Sequence, residues 1–121
     1  MTIPSILRHV RKEAHKCEMR HRLGAVVIKN GKIISTGHNQ KRYVKSLKKT
    51  WRSREDSVCA ERMALLKCLD KARGAVLYVG RVNNDGDFLL AKPCDACMRM
   101  IEDLGVKRVF YTDYSGQFME A

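Results

Sequence analysis

Apolar residues at Ile3, Ile6, Leu7, Val10, Ala14 and Cys17 follow the period of a helix, and Pro4 suits its first turn. The pattern then changes. Leu23–Lys29 and Lys32–Gly37 are β-branched runs separated by Asn30-Gly31, which predicts an antiparallel hairpin. Residues 40–56 read as a long polar loop. Asp56 or Ser57 can cap a helix over Val58–Lys71, with Met63, Leu65, Leu66 and Leu69 as apolar positions and Gly74 as its stop. Residues 75–79 are a short apolar run, expected to be a buried strand, and residues 83–86 a turn. Pro93 opens a second short helix whose face is Cys97, Ile101 and Leu104, closed by Gly105. Val106–Thr112 is the next strand. Strand, helix, strand predicts a parallel pair joined by a right-handed crossover. Ser115-Gly116 turns the chain into a last short strand at 117–119. The class is α/β.

At 121 residues one domain over 1–121 is expected. No apolar run approaches the roughly 20 residues of a membrane-spanning helix. Met1-Thr2-Ile3-Pro4 leads straight into a charged segment, unlike a secretion signal. A cytoplasmic protein without membrane contact is the expectation. The net charge of +11 and pI near 9.7 favour anionic partners, nucleotide or nucleic acid. A solvated basic surface is the plainer reading of such runs. Here they cluster: seven Lys/Arg and no acid from Lys41 to Arg54, six Lys/Arg against two acids from Arg8 to Arg22. Clustering favours a phosphate-facing surface.

Five cysteines are an odd number, and Cys94 and Cys97 form a C-x-x-C pair. In a reducing compartment that pattern favours metal or redox chemistry over a disulfide framework. Cys59 falls at the start of one predicted helix, Cys94 and Cys97 at the start of another. Helix N-termini favour thiolate over thiol. Three thiolates hold a zinc ion with one position left open, and Glu61, two residues from Cys59, is a carboxylate not needed as a ligand. A closed structural site needs a fourth ligand. Cys68 is about 13 Å from Cys59 along the same helix and is expected in the core. Cys17 or a histidine remains open as a fourth ligand. A redox C-x-x-C leaves Cys59 and Glu61 without a role. Arg62, three residues after Cys59, can reach a ligand sulfur and offset the negative charge of three thiolates.

Cys59-Ala60-Glu61-Arg62 and Pro93-Cys94-Asp95-Ala96-Cys97 together resemble the zinc-dependent cytidine/deoxycytidylate deaminase superfamily, in the branch with cysteine for histidine. The order of elements is similar over roughly residues 5–118. Gly37-His38-Asn39 resembles the family's substrate-contacting asparagine position. The resemblance implies a three-layer α/β/α sandwich with a mixed central sheet. It implies Zn2+ on Cys59, Cys94 and Cys97, Glu61 as the proton carrier, and Arg62 and Pro93 beside the ligands. Asn39 would hold sugar or base, and the Ala60 backbone the base edge. The implied reaction is hydrolytic deamination of a cytosine nucleoside or nucleotide by a homo-oligomer. Lys41 stands where the small cytidine deaminases carry a glutamate, and the loop after it is longer and more basic. Both departures are similar to deoxycytidylate deaminases and imply a 5′-monophosphate, with Lys41 facing the phosphate.

Two other functions fit the same residues. One is deamination of a base within RNA or single-stranded DNA. The other is a zinc-stabilised nucleic-acid-binding module without activity, against which Glu61 argues. Tyr43 and Trp51, set among cations, suit base stacking, but anchoring the loop or meeting another subunit is favoured. His9, His15 and His21 are expected at the surface, and His38 in the pocket or in a structural role. Tyr111 and Tyr114 are expected near the site or packed.

Overall fold

The computed structural model describes residues 1–41, 47–52 and 58–121. The elements are α1 (Ile3–Ala14), β1 (Arg22–Lys29), β2 (Lys32–His38), α2 (Ala60–Leu66), β3 (Val76–Val82), β4 (Phe88–Leu89), α3 (Asp95–Asp103), β5 (Arg108–Thr112) and β6 (Phe118–Glu120). Short 3₁₀ turns cover Lys49–Trp51 and Leu69–Lys71.

One mixed sheet runs in the order β2-β1-β3-β5-β6, with β4 paired to β3. The β1/β2 hairpin turns at Asn30 and Gly31, both at positive φ, as a tight Asn-Gly turn requires. β3 and β5 are parallel, and the remaining pairs are antiparallel. Alternate residues of β1 face opposite sides. Val26 and Ile28 pack with Ile6 and Val10 of α1. Ala25 and Val27 pack with Met63, Leu65, Met100 and Ile101 on the α2/α3 side. The helices therefore cover both faces, and the three-layer α/β/α sandwich is the observed fold.

Two glycines set how closely the layers approach. A Cβ on Gly24 would collide with the Val10 carbonyl and come within 2.6 Å of the Ala14 nitrogen of α1. One on Gly37 would sit 2.5 Å from the Ala64 nitrogen and 2.7 Å from the Ala60 oxygen. The second contact presses the start of α2 against the end of β2, where the candidate site lies.

Several boundaries differ from those the sequence pattern predicts. Val58 is not helical, because it exchanges hydrogen bonds with Gln40 (2.8 and 3.0 Å). α2 starts two residues later, with Cys59 as N-cap; the expected caps Asp56 and Ser57 lie outside the described residues. α2 ends at Leu66 because Cys68 leaves helical dihedrals (φ −136°, ψ 33°), and only a 3₁₀ turn follows. α3 starts at Asp95 rather than Pro93, since Cys94 is extended and serves as N-cap. β3 runs on to Val82 because β1 pairs with it that far. β5 begins at Arg108: Gly105 (φ 73°) and Val106 bond back to Glu102 and Ile101, spending these residues on the helix stop. β6 is shifted one residue along, and β4, only two residues long, was not foreseen. Among the described residues no helix is long and apolar enough to cross a membrane.

Candidate metal centre

The ends of two helices bring the three cysteines together. Cys59 caps α2, Cys94 caps α3, and Cys97 lies in the first turn of α3. Their sulfurs all lie within 4.8 Å of one another, with Cys59–Cys94 at 3.8 Å and Cys94–Cys97 at 3.4 Å. Sulfurs at tetrahedral corners around zinc, each about 2.3 Å from the metal, would be about 3.8 Å apart. The donor set therefore fits zinc. The charge distribution points the same way. Hydrogen bonds from Cys59 and Cys97 push the Cys94 thiol far down. The bond to Cys94 in turn raises Cys59 to about 11, and the bonds to Cys59 and Cys94 push Cys97 up. A dication at the centre is what lets all three ionise together.

None of the other candidate ligands joins the cluster. The Cys17 sulfur faces the Asn39 carbonyl at 3.2 Å and accepts from the Met19 amide at 3.3 Å. Cys68 is buried and donates to the Ala64 carbonyl at 3.5 Å. No histidine belongs to the cluster among the described residues. His9, His15 and His21 are exposed. Cys94 is exposed while Cys97 is fully buried, so the sulfur triad opens toward solvent on one side.

Glu61 lies in the first turn of α2, is 1 % exposed, and its Oε1 has no hydrogen-bond partner among the described residues. Burial raises its pKa to about 7; the Cys94 charge adds to the rise, and a hydrogen bond from Cys97 and the Arg62 charge oppose it. A buried carboxylate with a free oxygen beside an open triad is an acceptor without a structural task. Arg62 is also 1 % exposed. Its Nη2 donates to Cys59 Sγ at 3.2 Å and its Nη1 to the Trp51 carbonyl at 2.9 Å. Pro93, buried, leads into Cys94.

The Gln40–Val58 bridge sets the segment 39–41 beside the start of α2. Asn39 and Lys41 line a pocket of about 390 Å³ together with Lys16, Glu18, Met19, His38 and Gln40. The Asn39 amide is largely committed. Its Oδ1 accepts from the Leu23 amide (2.9 Å), and its Nδ2 donates to the His21 carbonyl (2.6 Å) and to Met19 Sδ (3.5 Å). One Oδ1 lone pair remains. Lys41 is exposed at the pocket rim. Ala60 is buried at the first position of α2, where a backbone N–H has no helical partner.

Glu13 and Asp103 carried no assignment from the sequence. Glu13 is an acid on the apolar face of α1, between Val10 and Ala14, and that misplaced charge was its only signal. It pairs with Lys16 Nζ (3.0 Å) and with His38 Nδ1 (3.3 Å), which fixes His38 at the pocket wall. Burial pushes its carboxyl up, but the hydrogen bonds and charges of Lys16 and His38 outweigh it, and its pKa is lowered. A depressed folded value contributes stability that is full above the ordinary carboxylate range and fades as pH falls through the folded value. Glu13→Gln should therefore cost about 1 kcal/mol at pH 7, the pair being partly screened. Thermal melts should show that gap closing toward pH 3; a gap of constant size would contradict the assignment. Trp51 is buried rather than stacked in solvent, with its indole N–H donating to Asp103 Oδ2 at 2.7 Å. Tyr111 packs on the larger core, Tyr114 is exposed, and Tyr43 lies outside the described residues.

Residues 2–113 match the family profile of the cytidine and deoxycytidylate deaminase zinc-binding region. Among solved structures, the chain is similar to the dCMP deaminase of cyanophage S-TIM5 in complex with dCMP and dUMP. That likeness has 23 % identity and a TM-score of 0.64, over 89 % of this chain and 78 % of that one. The apo form of the cyanophage enzyme is 26 % identical with a TM-score of 0.59, over 93 % and 86 %. Guanine deaminase from Bacillus subtilis is 23 % identical with a TM-score of 0.63, over 93 % and 65 %. Among curated proteins no sequence matches.

Proposed function

Since the chain belongs to the cytidine and deoxycytidylate deaminase family, we propose that it hydrolyses the exocyclic amine of a cytosine nucleotide, giving the uracil form and ammonia. One observation carries this reading: Glu61 is buried with an unpartnered Oε1 beside a sulfur triad that has no fourth protein ligand among the described residues. Cys59, Cys94 and Cys97 would hold the zinc. When bound, the metal acidifies water and polarises the reacting centre. Glu61 takes a proton from the attacking water and returns protons to the ring nitrogen and the departing amine. The new bond joins water oxygen to C4, and the C4–N bond breaks. Arg62 supplies a positive charge that brings three thiolates, one dication and one guanidinium to neutrality. The free N–H groups at the start of α2, around Ala60, suit the base edge. The remaining Asn39 lone pair suits a sugar hydroxyl, and exposed Lys41 a 5′-phosphate. We place the enzyme in a reducing compartment, the cytoplasm, where three free thiolates survive.

Ammonia release from cytidine, deoxycytidine and their 5′-monophosphates tests the substrate class on zinc-loaded protein. The monophosphates should be preferred, and Lys41→Glu should raise their KM about tenfold while leaving the nucleosides unchanged. Equal use of nucleosides and monophosphates would contradict the phosphate role.

A second reading is favoured by one observation. α1 carries Arg8 and Lys12 exposed one turn apart, about 6 Å along the helix, and Lys16, two residues past its end and paired with Glu13, lines the pocket. Such cations can follow a strand's phosphates, making the substrate a base within single-stranded nucleic acid. Binding of short oligonucleotides should then weaken steeply with salt, and Arg8→Glu with Lys12→Glu should flatten that slope without altering mononucleotide turnover. A flat slope for the wild type would leave the mononucleotide as substrate.

A further inference from the structure

Among the described residues of the basic loop, Trp51 links the 3₁₀ turn Lys49–Trp51 to the metal centre through Arg62. The 3₁₀ turn Lys49–Trp51 is closed by Trp51 N–H to the Lys48 carbonyl (2.9 Å) and Arg52 N–H to the Lys49 carbonyl (3.2 Å). It is fastened to α3 at two points. Arg99 Nε donates to the Thr50 carbonyl at 2.8 Å, and Trp51 Nε1 donates to Asp103 Oδ2 at 2.7 Å. Leu47 and Trp51 are buried beneath it, and Lys48 Nζ lies 5.0 Å from the indole centroid. The turn thus aims the Trp51 carbonyl into the interior, where it accepts from Arg62 Nη1 at 2.9 Å.

Arg62 needs such a guide. Its guanidinium is a rigid planar fork, so fixing one terminal nitrogen fixes the other. Nη1 is held by Trp51, and Nη2 points at Cys59 Sγ (3.2 Å). Nε has no hydrogen-bond partner among the described residues. The three cysteine sulfurs are the charges that raise the Arg62 pKa against its desolvation. Among the described residues this buried cation meets one protein acceptor and one ligand sulfur, and that acceptor steers it.

We propose that Trp51 is a positioning residue of the metal centre: its carbonyl, fixed by the indole–Asp103 hydrogen bond, sets where Arg62 places its charge against Cys59. Trp51 touches neither metal nor substrate and acts through Arg62. The Lys49–Trp51 turn and the zinc site then form one mechanical unit, and loss of the indole bond propagates to the ligand sulfur. The proposal rests on the zinc reading given above.

Zinc affinity by chelator competition is the test, with the absorption spectrum of the cobalt-substituted protein beside it. Trp51→Phe keeps ring and carbonyl but removes the N–H; Asp103→Leu removes the acceptor. Each should weaken zinc binding about tenfold, the effect of losing a group that orients a ligand. The double variant should be no weaker than either single, because both remove one bond. Asp103→Asn, which keeps an acceptor oxygen, should restore most of the affinity, and the cobalt spectrum should shift only in the two weakened single variants and their double. Unchanged zinc affinity and cobalt spectra alongside a lower melting temperature would overturn the proposal and leave Trp51 a packing residue. Wild-type protein gives an independent reading, since Trp51 is the single tryptophan. Adding zinc to the metal-free protein should change its emission, saturating at one equivalent; silent emission with zinc tightly bound would also overturn the proposal. A wild type that binds no zinc would sink the zinc reading itself.

Discussion

Glu61→Gln should lower kcat by about a thousandfold or more while zinc remains bound at one equivalent. Glutamine keeps the shape and one acceptor oxygen but cannot carry a proton between water and the leaving amine, and positioned proton transfer is worth about 10²–10⁴ in rate. The site isolates this role. Glu61 is 1 % exposed and its Oε1 has no hydrogen-bond partner among the described residues, so the substitution breaks none of those bonds. Burial already disfavours its charged form, so the neutral amide should be tolerated and the fold should melt no lower than the wild type. Metal analysis and single-turnover kinetics on the same preparation check the claim. Full activity in the variant would leave a zinc-stabilised binding module as the better account.

Cys97→Ala should weaken zinc binding about a hundredfold and abolish activity. Cys97 is the fully buried member of the triad, set inside the first turn of α3, and nothing nearby replaces its sulfur among the described residues. Structural zinc is held by about 10–16 kcal/mol over four ligands, so one ligand is worth roughly 3 kcal/mol, or about two orders of magnitude in affinity. With two sulfurs left, a competing chelator should strip the protein at a free-zinc level about a hundredfold above the one that strips the wild type. Two helix starts would then lose the ion that joins them, and the melting temperature should fall toward that of metal-free wild type. Cys68→Ala is the contrast: Cys68 packs in the core and donates to Ala64, so that variant should keep its zinc. Equal zinc content in the Cys97 and wild-type proteins would contradict the ligand assignment.

The elements of the site were legible where the signal is local. Asn30-Gly31 marks a hairpin because only such residues accept two positive φ values in sequence. Gly105 marks a helix stop for the same reason. Cys59, Cys94 and Cys97 could be read as one site because helix starts and a three-residue spacing are properties of neighbouring residues, and the fold gathers their sulfurs. Arg62 was within reach of Cys59 by helical spacing alone, and the bond is present.

What was not legible depends on residues far apart in the chain. The Gln40–Val58 bridge keeps the start of α2 extended, and no local pattern encodes it. The Trp51–Asp103 bond spans 52 residues and the Glu13–His38 pair 25. Each partner alone is an ordinary loop or helix residue. β4 is too short to show alternation and exists because β3 offers it an edge. Asn39 reads as a free amide in the sequence, yet most of its hydrogen-bonding capacity holds the chain at residues 19–23.

The central claim, that an open three-cysteine zinc site and Glu61 deaminate a cytosine nucleotide, is tested most directly by product stoichiometry. Protein verified to hold one zinc per chain is incubated with deoxycytidine 5′-monophosphate, and ammonia and the uracil nucleotide are quantified together. Catalytic turnover with one ammonia formed per uracil nucleotide is the predicted result. No ammonia from this substrate or from any other cytosine nucleoside, nucleotide or oligonucleotide, at full zinc occupancy, would contradict it.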